Sequence, residues 1–170
     1  MRLLIVILLG FISTQTTAVC LNNLPRQTPD EQFDIHGNTL LDRHTGLLWQ
    51  RCALGQEWNG EKNLCQLKME QQRLFTWGEA LIAAAQSKVA NHGDWRLPNK
   101  NELDSIVDRA CTGPAVNETV FPDTTFAGFW TSAPARHSDG YAWQIDFATG
   151  TLIALPVETP LSVRLVRNAF

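Results

Sequence analysis

Ser132, His137 and Asp139 place a hydroxyl, an imidazole and a carboxylate within the single stretch "SAPARHSDGY". These are the residue types of a hydrolytic triad, in which a base takes the nucleophile's proton and an acid orients the base. The spacing argues against that use. A working triad brings its base to the nucleophile across the fold, whereas these three are almost contiguous. No Gly-x-Ser-x-Gly elbow accompanies them. The stretch reads as a solvated loop, no catalytic residue is assigned, and an enzyme is not expected.

Asp104 and Asp108 are a second arrangement with chemical capacity. Two carboxylates one helical turn apart could divide acid and base roles in glycoside hydrolysis. Like charges at that spacing repel unless something neutralises them, so a water-facing helix surface is the simpler reading. Metal ligation finds no better footing. The chain has four cysteines and four histidines, but no Cys-x-x-Cys, and His36, His44, His92 and His137 are scattered. Neither a metal nor a cofactor is expected.

Recognition is the chemistry that the late loop offers instead. Arg136 and His137 are suited to donate to a sulfate or carboxylate. Asp139 adjoins them, and Tyr141 closes the loop. The formal net charge is -3, and the basic residues are not clustered, so a nucleic-acid footprint is absent. Any polyanionic ligand must be held by a local basic patch against the overall sign.

These residues need a scaffold, and the elements that build it are readable. "NTLLDRHTGLLWQR" has two apolar runs around Asp42–Gly46, which predicts a hairpin. In "FTWGEALIAAAQSKVANHG", Thr76 and Glu79 stand at capping-box spacing, and Ala80, Leu81, Ala84 and Ala85 form a helical stripe. Asn91 and Gly93 are expected to end that helix. In "GDWRLPNKNELDSIVD", Pro98 favours extended backbone at Leu97, and Asn99 with Glu102 repeats the capping box. Leu103, Ile106 and Val107 are expected to be the buried stripe of a second helix. Arg96 then serves either a structural joint or a ligand, with the joint favoured. "YAWQIDFATG" alternates, with Tyr141, Trp143, Ile145 and Phe147 on one face, and Thr149-Gly150 turns the chain into "TLIALP". The order strand, strand, helix, helix, long loop, strands predicts an α+β domain with an antiparallel sheet.

The 170-residue chain, 44% hydrophobic and 18% charged, has the length and composition of one globular domain. Met1-Arg2 followed by the apolar run Leu3–Ile12 and the small residues Thr16-Thr17-Ala18 predicts a signal peptide over 1–18, too short to span a membrane. An extended arm over 19–33 and a domain over 34–170 follow. The mature chain is expected to be exported, to the periplasm or cell surface, with no transmembrane segment. Lipidation at Cys20 is disfavoured because Val19 precedes it. Four cysteines in an exported chain allow three pairings. Cys52 with Cys65 closes a short Gly- and Asn-containing loop, worth roughly 3 kcal/mol. Cys20 with Cys111 then ties the arm to the end of the second helix.

The motifs "TGLLWQRCALGQEWNG", "FTWGEAL", "DWRLPNKNELDSIVD", "FWTSA", "AWQIDFATG" and "VRLVR" occur in this order. Together they resemble the Lcl C-terminal-domain family, named for a collagen-like bacterial adhesin, from about Asp34 to Arg167. The resemblance implies a bacterial, mostly exported domain of unknown function. It also implies a C-type-lectin-like fold, two helices flanking a small twisted antiparallel sheet with long loops. Its best-understood member is similar to a surface adhesin that binds host glycosaminoglycans. Calcium-dependent sugar binding in such lectins uses Glu-Pro-Asn or Gln-Pro-Asp loops, which this chain lacks, and Asp139 and Asp146 are separated. The wider fold class includes formylglycine-generating oxidases, whose late reactive cysteines have no counterpart after Cys111.

Of six tryptophans, Trp49, Trp95, Trp130 and Trp143 lie in these motifs among alternating polar neighbours and are expected in the core. Trp58, in the disulfide loop, is the one expected to meet a ligand. The candidate ligand residues are therefore Trp58, Arg136, His137, Asp139 and Tyr141. The expected function is an exported binding module for a glycan or a cell-surface protein. The alternative is a structural subunit of an envelope or surface assembly. The sequence leaves the oligomeric state open.

Overall fold

The computed structural model describes residues 18–67, 74–136 and 139–170. The proposed signal peptide lies outside these residues except for Ala18. Among the described residues, eleven strands form four small antiparallel sheets. The strands are β1 (Val19–Cys20), β2 (Phe33–His36), β3 (Thr39–Asp42), β4 (Leu47–Gln50), β5 (Gln56–Asn59), β6 (Leu64–Leu67), β7 (Cys111–Thr112), β8 (Gly128–Pro134), β9 (Tyr141–Asp146), β10 (Thr151–Pro156) and β11 (Val166–Asn168). The sheets run β11-β4-β3-β2, β10-β9-β8, β5-β6 and β1-β7. Helix α1 is Trp77–Gln86 and helix α2 is Lys100–Asp104. None of the described helices is long and apolar enough to cross a membrane.

This overturns the α+β, C-type-lectin-like expectation of two helices flanking a sheet. The fold is mostly β, and α1 alone among the described helices reaches seven residues. Helix α2 starts as expected, with Asn99 and Glu102 completing a capping box. It ends after five residues because the next backbone bonds tighten: Ile106 N–H reaches Leu103 O and Val107 N–H reaches Asp104 O. The hydroxyl of Ser105 donates to Glu102 O at 2.7 Å. Val107 then bridges Val116 in extended pairing, a geometry that suits β-branched residues. Leu103, Ile106 and Val107 are all buried, but a helical stripe does not carry the last two. Helix α1 also stops early, at Gln86 with Ser87 as its cap, and Val89–Asn91 form a 3-10 turn before Gly93.

The three-stranded sheet divides the core in two. Phe129, Ile145 and Phe147 join Leu40, Trp49, Phe121, Leu103 and Ile106 in one cluster. Trp130 and Ala142 join Phe75, Ala80, Ala84, Trp95 and Leu97 in the other. The small side chains Ala80 and Ala84 are the buried face of α1 and let it lie close to that sheet. The indole N–H groups of Trp130 and Trp95 donate to Phe75 O and Val89 O, so these rings are buried with their polar atoms satisfied.

Two disulfides lock the periphery. Cys52, ahead of β5, joins Cys65 of β6, and Cys20 joins Cys111 between β1 and β7. The arm after Cys20 is held by Asp108, whose carboxylate accepts from Arg26 Nε and Thr28 Oγ1. Asp108 is therefore buried and leaves the helix surface expected to face water. Asp104 instead meets Arg109 at 2.5 Å.

Candidate functional site

A β-bulge assembles the most chemically distinctive surface. β8 pairs regularly with β9 up to Trp130↔Gln144, then shifts register before Pro134↔Ala142. Bulges of this kind re-aim side chains and bend the strand. The bulged residue Ser132 donates its N–H to Pro98 O at 2.8 Å. That bond ties β8 to the residue just ahead of α2 and fixes where α2 begins. Thr131 Oγ1 donates to Trp143 O at 2.7 Å, holding β9 in place beside it.

These ties put Lys100, the first residue of α2, over Trp143 of β9. The Lys100 ammonium is 5.8 Å from the indole centroid, within cation–π range. Arg136 joins them from the end of β8. Lys100, Arg136, Trp143, Ala133 and Pro134 line an open groove of about 410 Å³. Lys100 and Arg136 are exposed, and Trp143 is half-buried. Neither cation has a carboxylate partner among the described residues. The groove thus presents two unneutralised positive charges and the face of an indole. Such a surface can accept an anionic group and stack an apolar ring face at once.

The residues singled out in the sequence fall in different places. Arg136 is in the groove, and Tyr141 lies two residues before Trp143 on β9, 39% exposed. Asp139 is exposed at the turn into β9 and does not line the groove. His137 lies outside the described residues. Trp58 is half-buried on β5, with the Arg51 guanidinium 4.0 Å over its ring; its face is occupied from within the protein. Trp143 was expected in the core. The face it shares with Ile145 and Phe147 is buried only at their end, so the ring is left at the margin beneath Lys100.

Lys100 had no marker except its place after a capping residue. A capping box fixes the first helical position in space, and that signal points to Lys100 once α2 is seen to rest on β8. Ser132 lines a neighbouring groove with Arg96, Asn99, Glu102, Leu81 and Trp95, and is held by its backbone rather than set beside a base. Arg96 is paired with Glu102 at 2.7 Å and bonds Leu97 O. It also takes part in a backbone bridge to Val166. These are the bonds of a structural joint. No group of three or more His, Cys, Asp or Glu side chains among the described residues is placed to hold a metal ion.

The interior holds a second cationic feature. Arg51 and Arg164 are both buried. Arg51 donates to Val120 O, Gly37 O and Thr119 O. Arg164 donates to Gln50 O, Arg51 O and Thr124 Oγ1, with Phe121 and Phe129 against its guanidinium. Burial and the neighbouring Arg51 push Arg164 down to about 9, which leaves it charged at neutral pH. Carbonyl oxygens and ring faces take the place of a carboxylate, and the pair fastens β4, the loop before β8 and the approach to β11.

A family model described as the Lcl C-terminal domain matches residues 38–167. No curated protein matches the chain.

Proposed function

The chain belongs to the Lcl C-terminal domain family, and on that footing we propose that it is an exported, non-enzymatic binding module whose ligand is a glycan bearing acid groups. The observation that carries this reading is the groove in which Lys100 and Arg136 flank the indole of Trp143. An acidic sugar has both required parts, a carboxylate or sulfate for the cations and an apolar ring face for the indole. The two disulfides and the absence of a membrane-spanning helix among the described residues are compatible with export. The cleavage after Ala18, the arm over 19–33 and the domain over 34–170 remain part of this proposal.

A glycan array probed with the disulfide-bonded protein, with and without a calcium chelator, tests it. Binding should concentrate on acidic glycans, survive chelation and fall at high salt. Trp143→Ala and the pair Lys100→Ala, Arg136→Ala should each remove it while leaving the melting temperature within a few degrees. Binding to neutral glycans alone, or binding indifferent to these substitutions, overturns the reading. No binding at all moves the weight to a structural subunit of a surface assembly.

A further inference from the structure

Two grooves meet at the bulge of β8. Lys100 and Ala133 line the first, and their chain neighbours Asn99 and Ser132 line the second. The bond from Ser132 N–H to Pro98 O holds these two pairs against each other. Neighbouring Cα atoms are 3.8 Å apart, so a ligand lying in one groove is within reach of the other. The second groove has a volume of about 340 Å³, comparable with the first and at the small end for a ligand site. Leu81 and Ala85 of α1 give it apolar surface, and Ser132 and Asn99 give it polar atoms. Asn99 Oδ1 accepts the N–H groups of Asn101 and Glu102. The Asn99 amide nitrogen and the Ser132 hydroxyl have no partner among the described residues.

The two grooves differ in charge. The first presents Lys100 and Arg136 without a carboxylate. The charges of the second are Arg96 and Glu102, committed to each other at 2.7 and 2.8 Å. Arg96 Nη1 also donates to Leu97 O, and Nη2 to Asn168 Oδ1. An acid group placed there would face the Glu102 carboxylate and find no free cation, and like charges brought together are costly. An uncharged sugar ring meets no such opposition. Its hydroxyls can bond Ser132 Oγ and Asn99 Nδ2, and its apolar face can lie on Leu81 and Ala85. We propose that the second groove is a subsite for an uncharged sugar linked to the acidic one held over Trp143. The proposal rests on the acidic-glycan reading above and adds a specificity to it. The protein selects chains in which an acidic unit is followed by a neutral one, over chains charged at every unit. Ser132 and Asn99 are the residues that make this selection.

Calorimetry of the disulfide-bonded protein at one fixed salt concentration, with two tetrasaccharides, reads the preference. One alternates glucuronic acid with N-acetylglucosamine, and the other is galacturonic acid throughout. The wild-type protein should bind the alternating chain at least about tenfold more tightly. Ser132→Ala removes the free hydroxyl, and Asn99→Ser keeps a capping residue while removing the amide. Ala85→Trp fills the groove from an exposed position on α1. The pair Ser132→Ala, Asn99→Ser, and Ala85→Trp alone, should each abolish the preference by weakening the alternating chain. The uniform chain should stay within about twofold of its wild-type affinity. Thermal melts of every variant separate lost contacts from lost folding. Equal affinity for the two chains, tighter binding of the uniform one, or a preference that survives Ala85→Trp overturns the proposal. Trp143→Ala should abolish binding of both chains, so the acidic-glycan reading is tested apart from the subsite. Binding of neither chain by the wild-type protein overturns both.

Discussion

Glu102 holds both terminal nitrogens of Arg96, at 2.7 and 2.8 Å, while its Oε2 also accepts the N–H of Asn99 at 2.7 Å. One carboxylate thus closes the cap of α2 and anchors the strand-like segment before it. Arg96 in turn exchanges both backbone bonds with Val166 at 3.0 Å. The start of α2, and with it Lys100, is therefore fixed to the four-stranded sheet through a single side chain.

Glu102→Gln keeps the shape and removes the charge from that junction. The lost charge-assisted pair and weakened cap should cost about 1–3 kcal/mol, discounted because Arg96 is 41% exposed. Arg96→Lys keeps the charge but loses the planar fork, and should fall between wild type and Glu102→Gln. Urea midpoints rank the three proteins. A Glu102→Gln midpoint equal to wild type would show that the Arg96–Glu102 junction adds nothing to stability.

Asp108 should make the arm sensitive to acid. Burial raises its pKa, but the hydrogen bond from Arg26 and the N–H groups of Ala110 and Gln27 outweigh burial and bring it below the ordinary carboxylate value. The unfolded chain therefore takes up this proton at higher pH than the folded chain does. Stability from Asp108 is complete above the unfolded value, about 3.9, and is lost as pH falls through the folded one. Asp108→Asn should flatten that acid limb and cost about 2 kcal/mol at neutral pH. Denaturant titrations from pH 7 downward measure both effects.

Local signals were legible and long-range ones were not. Both capping boxes, Thr76–Glu79 and Asn99–Glu102, form as their spacing indicates, because a cap is decided within four residues. The hairpin at Asp42–Gly46 and the β9–β10 pairing are similarly local. The length of α2 was misread because Ile106 and Val107 satisfy a helical stripe and a buried bridge equally well. Trp143 was misread because alternation assigns a face, not how far along that face the core extends. Asp108 and Arg26 are 82 positions apart, a partnership that no local pattern encodes. In "LSVRLVRN" Arg164 is an arginine among apolar neighbours, and its carbonyl partners carry no sequence mark.

The disulfides should contribute unequally. Cys52–Cys65 spans 13 positions and Cys20–Cys111 spans 91. Chain entropy alone gives about 3 and about 4.6 kcal/mol. Double replacement by alanine should therefore lower the melting temperature more for Cys20/Cys111 than for Cys52/Cys65. Calorimetry of the two variants decides, and unreduced peptide mapping should recover both linkages. The reverse order would show that the bonds of Asp108 with Arg26 and Thr28, and the bond that Asn117 Nδ2 donates to Thr28 O, hold the arm well enough to make its disulfide redundant.

Arg164→Lys should create a pH dependence near neutrality that the wild type lacks. Burial, together with the neighbouring Arg51, lowers the Arg164 guanidinium to about 9. A lysine starts lower than an arginine, so the same burial and the same Arg51 would carry it down toward neutrality. The folded variant would then lose its proton while the unfolded chain keeps one. Wherever the unfolded state binds more protons, stability rises with pH, so the variant should gain stability as the pH rises above neutrality toward the ordinary lysine value. At neutral pH it should be weaker than wild type by about 2–4 kcal/mol, since an ammonium cannot match the planar fork between Phe121 and Phe129. Arg164→Met, which carries no charge, should show no such rise. Guanidinium melts at several pH values compare the three proteins, and a flat profile for Arg164→Lys would mean that solvent reaches the site.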